Sequence, residues 1–145
     1  MDNEFSSIGP LLMGAMTALS KRTRARLAAA GIDITPDQFA LLDLLSRHEG
    51  RLTQSELADM RDKDKSVLMR QTDHFEALGL VTRSVSSEDR RKKTLVLTPQ
   101  GRRLHAEAKA LIDGLMLELL RDVPPQKLQG FLKTLAEIRE KAQQS

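Results

Sequence analysis

The sequence contains no cysteine, no tryptophan and no tyrosine. Without thiols there can be no disulfide, no thiolate zinc site, no iron–sulfur cluster and no thiol-based redox switch. The cytoplasm is then the expected compartment. Four phenylalanines are the whole aromatic inventory, so a stacking platform for single-stranded nucleic acid is not expected. No apolar run approaches the roughly 20 residues of a membrane span, and no membrane partner is expected. The opening Met1-Asp2-Asn3-Glu4 lacks the basic start of a secretory leader, and glycine and proline interrupt the apolar stretch from Ile8 to Met16.

The spacing motifs of common enzyme classes are missing too. There is no GxGxxG, no glycine-rich phosphate loop ending in GK[ST], no HExxH and no GxSxG. The three histidines, His48, His74 and His105, fall in different segments without metal-ligand spacing. A metal sensor built from His48 or His105 with nearby carboxylates is the weaker option. The expectation is therefore no catalytic residue, no metal and no cofactor.

What is present is a 145-residue chain, 40% apolar and 30% charged, long enough for one domain with a real core. Phe5, Ile8, Leu12, Met16, Leu19 and Leu27 form one stripe of a first helix, with Gly9-Pro10 marking a kink or its true start and Gly31 its stop. Thr35-Pro36-Asp37-Gln38 is a capping box with proline at the first helical position; the helix it opens carries Leu41, Leu42 and Leu45 and ends before Gly50. A second capping box, Thr53-Gln54-Ser55-Glu56, opens a short helix from Gln54 to Met60. A polar turn, Arg61-Asp62-Lys63, leads into a helix from about Asp64 to Leu78, which Gly79 ends.

The period then changes. Leu80 to Val85 and Thr94 to Leu97 are β-branched and alternating, and the charged stretch from Ser86 to Lys93 joins them as a hairpin with a long tip. Thr98-Pro99 opens a fifth helix, Val123-Pro124-Pro125 breaks it, and a last helix carries Leu128, Phe131, Leu132, Leu135 and Ile138. The polar tail after Ile138 is expected to fray. The fold expected is mainly α, six helices plus a β-hairpin.

Helix, polar turn, helix and charged hairpin is the order of a bacterial-type winged helix-turn-helix, a fold that grips double-stranded DNA. Net charge is only +3, but from Arg83 to Arg103 seven cations face two anions, a local balance of +5. At 100° per residue, Leu68, Thr72, Phe75 and Leu78 of the fourth helix turn inward. Ser66, Arg70, Asp73 and Ala77 lie opposite, flanked by Met69 and His74. Lys65, Ser66, Met69, Arg70 and His74 are therefore the candidates to enter the major groove, where an arginine pairs bidentately with guanine. Asp73, repelled by phosphates, is expected to pair with a neighbouring arginine, the alternative being to accept from cytosine N4. Gln54 and Ser55 place free N–H groups of the third helix toward phosphates. The hairpin tip offers Asp89, Arg90, Arg91, Lys92 and Lys93, with one arginine in a minor groove and Asp89 aiming it. A solvated, salt-tolerant loop is the plain alternative for the tip.

The runs Leu57-Ala58-Asp59, Asp64-Lys65-Ser66, Arg70, Asp73 through Val81, Glu88-Asp89-Arg90-Arg91 and Leu97-Thr98-Pro99-Gln100-Gly101 resemble the MarR family of transcriptional regulators. The order and length match over essentially the whole chain. The resemblance implies a homodimer whose first, fifth and last helices interlock, a palindromic operator, and release on binding a small aromatic or anionic effector. Four features depart from the family pattern. Ser86-Ser87 replaces the usual Asp-Pro, Gln71 and Thr72 replace apolar residues, Met69 stands where a small hydroxyl residue is common, and the turn Arg61-Asp62-Lys63 is more polar than usual.

A dimer also follows from the residues themselves. Leu115-Met116-Leu117 and Leu119-Leu120 are apolar nearly all round, which a surface helix is not. The organisation expected is one domain over 1–145. Residues 1–34 and 100–145 form the dimerisation helices, and 35–99 the DNA lobe, with the helix-turn-helix at about 53–78 and the wing at about 80–98. Met13, Met16 and Phe39 are candidates to line an effector pocket, although helical methionines are more often core filler. The functional expectation is a repressor. The alternative class is a helical protein-binding adaptor without DNA binding, which would have no use for a cationic hairpin tip.

Overall fold

Four helices start on side chains that the sequence marks, and those caps set the framework of the computed structural model, which describes residues 3–61, 64–85 and 92–144. A short 3-10 turn, Glu4–Ser7, leads into α1, Ile8–Ala29. Gly9-Pro10 thus lies in the first turn of α1, where proline's missing N–H has no intrahelical partner to lose. Gly31 ends the helix at φ +76°, and the N–H groups of Gly31 and Ile32 close back on Ala28 and Leu27.

Helix α2, Pro36–His48, carries the complete reciprocal box: Thr35 Oγ1 accepts from the Gln38 N–H, and the Thr35 N–H donates to Gln38 Oε1, both at 3.0 Å. Helix α3, Gln54–Arg61, begins on Thr53, whose hydroxyl accepts from the Glu56 N–H and donates to the Glu56 carboxylate. Helix α4, Lys65–Ala77, begins on Asp64, which accepts from the Ser66 N–H at 3.0 Å. Strands β1, Val81–Val85, and β2, Lys93–Leu97, pair antiparallel from Val81↔Leu97 to Val85↔Lys93. Helix α5 is Pro99–Leu120 and α6 is Pro125–Gln143.

Six helices and a two-stranded antiparallel hairpin are the architecture expected, with local corrections. Leu80 precedes the first strand, and the second starts one residue earlier, at Lys93. Leu78 does not turn inward: it is 48% exposed, because α4 stops at Ala77 and the helical period no longer applies once Gly79 turns the chain at φ +74°. Leu80, 4% exposed, takes the core place instead. The backbone beyond Ile138 stays helical through Gln143, since Arg139 to Gln143 are all good helix formers.

The chain divides into two units, 1–112 and 113–145. In the first, one core cluster joins Leu27, Ile32 and Ile34 to Leu41, Leu42 and Leu45 of α2, Leu57 of α3, Leu68 and Phe75 of α4, Leu95 and Leu97 of β2, and Ala108 of α5. The hairpin is anchored on this core by a third backbone segment: Thr53 bridges Thr94, and the Leu95 N–H reaches the Leu52 carbonyl. Helix α1 buries only Thr23 and Leu27; Phe5, Leu11, Met13 and Met16 are exposed. The second unit holds the end of α5 and all of α6. Leu115 is buried there, while Leu117, Phe131 and Leu132 are more than half exposed.

Candidate nucleic-acid interface

Helix α4 is fixed from behind and open in front. Leu68, Thr72 and Phe75 are buried, and Thr72 removes its hydroxyl from the apolar surroundings by donating to the Leu68 carbonyl at 2.8 Å. Lys65, Ser66, Met69, Arg70, Asp73, His74 and Ala77 are exposed. The side chains expected to read DNA thus share the outward surface of the helix, apart from Lys65 at its start. The Asp64 carboxyl sits below its ordinary range, mainly because the Ser66 N–H donates to it, with help from the Ser66 hydroxyl and the charge of Arg70. That negative cap complements the positive end of the helix dipole at the α4 N-terminus.

The other candidates gather in a hollow of about 400 Å³ lined by Thr53, Gln54, Ser55, Glu56, Lys65, Lys92 and Lys93. Three separate stretches, the start of α3, the start of α4 and the root of β2, therefore bring three lysines to one concave place. The amide nitrogen of Gln54 is buried there with no hydrogen-bond partner among the described residues. Glu56 is the opposing charge in the hollow, engaged by the Thr53 hydroxyl at 3.1 Å. Of the wing residues, Lys92 and Lys93 are exposed, while Asp89, Arg90 and Arg91 lie outside the described residues, as do Ser86 and Ser87.

Asp73 has the arginine partner the sequence suggested, and it is Arg83 of β1, at 2.6 Å. The other nitrogen of the same guanidinium holds Glu76 at 2.7 Å. The Arg83 guanidinium is raised above its ordinary range, chiefly by the hydrogen bond to Asp73. Arg83 is thus a fork between two acids, not the free cation that counting charge along the hairpin implies.

A second polar cluster, unmarked in the sequence, braces the helix-turn-helix from the side. Arg61 at the end of α3 donates to Asp37 at the start of α2, and Gln71 of α4 donates to the same carboxylate at 2.8 Å. The departure from an apolar residue at Gln71 is explained by this bond. Farther along α2, Asp43 pairs with His105 of α5 at 2.9 Å, and Phe39 stacks on that imidazole with ring centroids 5.5 Å apart.

The suggested effector residues differ in their surroundings. Phe39 is half-buried against the core and the His105 ring, whereas Met13 and Met16 are 73% and 63% exposed. Met16 instead borders a hollow of about 480 Å³ with Thr17, Ser20, Lys21 and Arg24. Methionine size and flexibility suit a pocket or a core equally, so composition alone could not separate the two. Among the described residues, no three histidine, aspartate or glutamate side chains converge as a metal site would require. No helix among them is long and apolar enough to cross a membrane.

Comparison with known proteins gives consistent matches. The family model described as the MarR family matches residues 32–92. A MarR family transcriptional regulator from Silicibacter pomeroyi is 32% identical, with a TM-score of 0.80 over 100% of this chain and 96% of that one. CouR from Rhodococcus jostii RHA1, solved bound to p-coumaroyl-CoA, is 27% identical, with a TM-score of 0.81 over 95% of each chain. CouR bound to a 23-mer DNA duplex matches with a TM-score of 0.79 at 28% identity over 96% of this chain and 97% of that one. A Thauera aromatica protein assigned to transcriptional regulation of the hcr operon is 31% identical over 117 residues, 79% of this chain and 70% of that one.

Proposed function

This chain belongs to the MarR family of transcriptional regulators, which are not enzymes, and from that premise we propose that it is a repressor that binds a palindromic operator as a homodimer. The observation that carries the reading is the outward face of α4, with Arg70 at its centre, standing beside a hollow where Lys65, Lys92 and Lys93 converge on the start of α3. Arg70 supplies base discrimination. The lysines and the N–H groups of Gln54 and Ser55 supply phosphate contacts that set register without reading sequence. CouR, of the same fold, has been solved on a DNA duplex, which supports this docking.

Residues 35–99 form the DNA-reading lobe, and residues 1–34 and 100–145 pair the two copies. The reason is apolar area without cover. Phe5, Leu11 and Met13 in the first unit and Leu117, Phe131 and Leu132 in the second are each more than half exposed in the single chain. Two-fold pairing would place the two reading helices about 34–36 Å apart, one turn of DNA. An aromatic or anionic effector releases the operator by binding the DNA-incompetent arrangement better. The p-coumaroyl-CoA bound by CouR supports that chemical class, and Lys21 and Arg24 beside Met16 provide cationic and apolar groups suited to it.

Selection of bound duplexes from random DNA, with sedimentation of the free protein, tests the reading. The expected results are a palindrome with half-sites one turn apart and a dimer in solution. Arg70→Ala should relax the preference at one position of each half-site, at about 1–3 kcal/mol of discrimination. A monomer, or a protein indifferent to duplex DNA at low ionic strength, would overturn it.

A further inference from the structure

The face of α4 proposed to meet DNA carries two carboxylates among its cations. Asp73 lies with Arg70 opposite the buried side, and Glu76 follows almost one turn later; their side chains are 63% and 43% exposed. Left to themselves, both would stand at a phosphate-lined surface, and like charges brought together at an interface oppose binding strongly. Arg83 engages both at once, at 2.6 and 2.7 Å, from a side chain only 24% exposed. A planar guanidinium can serve two acceptors on different nitrogens in fixed directions; a lysine ammonium lacks that fork. The strand holds the fork in place. Arg83 sits opposite Leu95 in the ladder, and Leu95 is buried, with its N–H directed to the Leu52 carbonyl.

We infer that Arg83 is a positioning residue for DNA binding, holding Asp73 and Glu76 compensated so that α4 can approach the phosphates, and tying the wing strand to the reading helix without being a phosphate ligand itself. The inference rests on the DNA reading above. It differs from what charge counting gives, since a cation in a basic hairpin is otherwise taken as a direct backbone contact. The two roles predict opposite results when the acids are removed. A phosphate ligand is needed whether or not Asp73 and Glu76 are charged, whereas a compensating residue is needed only while they are.

The experiment measures binding of the full chain to a random-sequence duplex of about 30 base pairs across a potassium chloride titration. Arg83→Gln removes the charge and the guanidinium fork and leaves a shorter, polar side chain. It should weaken binding about ten-fold or more at low salt. Adding Asp73→Asn and Glu76→Gln to it should return affinity to within about three-fold of the unchanged protein. Asp73→Asn with Glu76→Gln alone, leaving Arg83 intact and released, should tighten binding and steepen the salt dependence. Circular-dichroism melting of each variant reports folding, and recovery in the triple variant itself requires a folded lobe.

Arg83→Gln without effect, or a loss that persists in full after both acids are neutralised, would overturn the inference. So would weaker binding in the double variant, which guards the test should Arg83→Gln fail to fold. If the unchanged protein binds no duplex, the DNA reading falls with it. If the unchanged protein binds and only the rescue fails, the DNA reading stands and this inference alone is lost.

Discussion

Gly101→Ala is the smallest change that should do large damage. Gly101 is the third residue of α5, and a Cβ built on it would meet the Leu80 carbonyl oxygen at 2.0 Å, where ordinary contact begins at 3.4 Å. The obstacle is backbone, so no side-chain rotation relieves it. The start of α5 must move by more than an ångström, and the bonds it makes must stretch with it. Thr98 lies at the centre of that joint: its N–H donates to the Leu80 carbonyl at 3.0 Å, its hydroxyl donates to the Gly79 carbonyl at 2.6 Å, and the same hydroxyl accepts from the Gly101 N–H. Losing two of these bonds costs about 2 kcal/mol, and the overpacking of the turn beneath costs about 1–3 kcal/mol more. Helix propensity favours alanine by about 1 kcal/mol, leaving a net loss of about 3 kcal/mol. For a chain of this size that lowers the melting temperature by about 10 °C at fixed protein concentration. The assay is thermal unfolding followed by circular dichroism, with the same loss expected in urea. A melting temperature within a degree or two of the unchanged protein would show that the joint yields freely and would refute the reasoning.

Three further substitutions separate kinds of polar group. Thr72→Val should change stability by less than about 1 kcal/mol in denaturant titration, because its hydroxyl only back-bonds to the Leu68 carbonyl within the helix and leaves no buried partner stranded. Arg61→Met should cost about 1–2 kcal/mol in the same assay, since Asp37, 44% exposed, loses its guanidinium partner across the α2–α3 joint. Asp64→Ala should lower the melting temperature at neutral pH. Because the folded Asp64 carboxyl is held below its ordinary value by the Ser66 N–H, its stabilisation is present above the aspartate range and lost as pH falls through the folded value. The gap between variant and unchanged protein should therefore close in acid, and a gap that widens there would contradict the cap.

Local grammar was readable from the sequence because its causes are local. The capping box at Thr35, the stop at Gly31 and the alternation from Val81 to Val85 each depend on residues within one turn or one strand. The outward face of α4 was equally accessible, since a fixed 100° step carries Arg70 away from Leu68 and Phe75. The step failed at Leu78, where the helix ends and periodicity has no further meaning. Partnerships across elements were hidden. Nothing near Gln71 announces that Asp37, far back in the chain, will accept its amide, and nothing near Arg83 announces that one fork will hold two acids. The motif Leu-Thr-Pro-Gln-Gly was recognisable as a pattern, yet only the placement of Leu80 explains why its last residue must lack a side chain.

Those hidden partnerships bear on how any effector could act. The root of the wing is bridged to the segment before α3 through Thr53 and Thr94, its first strand is tied to α4 through Arg83, and its exit is tied to the turn after α4 through Thr98. Bending the wing alone would break bonds in all three places, at about 1 kcal/mol or more for each. An effector with a coupling energy of the usual 1–3 kcal/mol lacks the energy for that. In the dimer proposed above, the less demanding change is to carry each proposed reading lobe as one piece and alter the spacing between the two, which leaves every one of these bonds intact. Release of DNA should then proceed without new exposure of the Leu95 or Thr98 amide to hydrogen exchange. Faster exchange at those two amides on effector binding would show instead that the wing unhinges from its own helix.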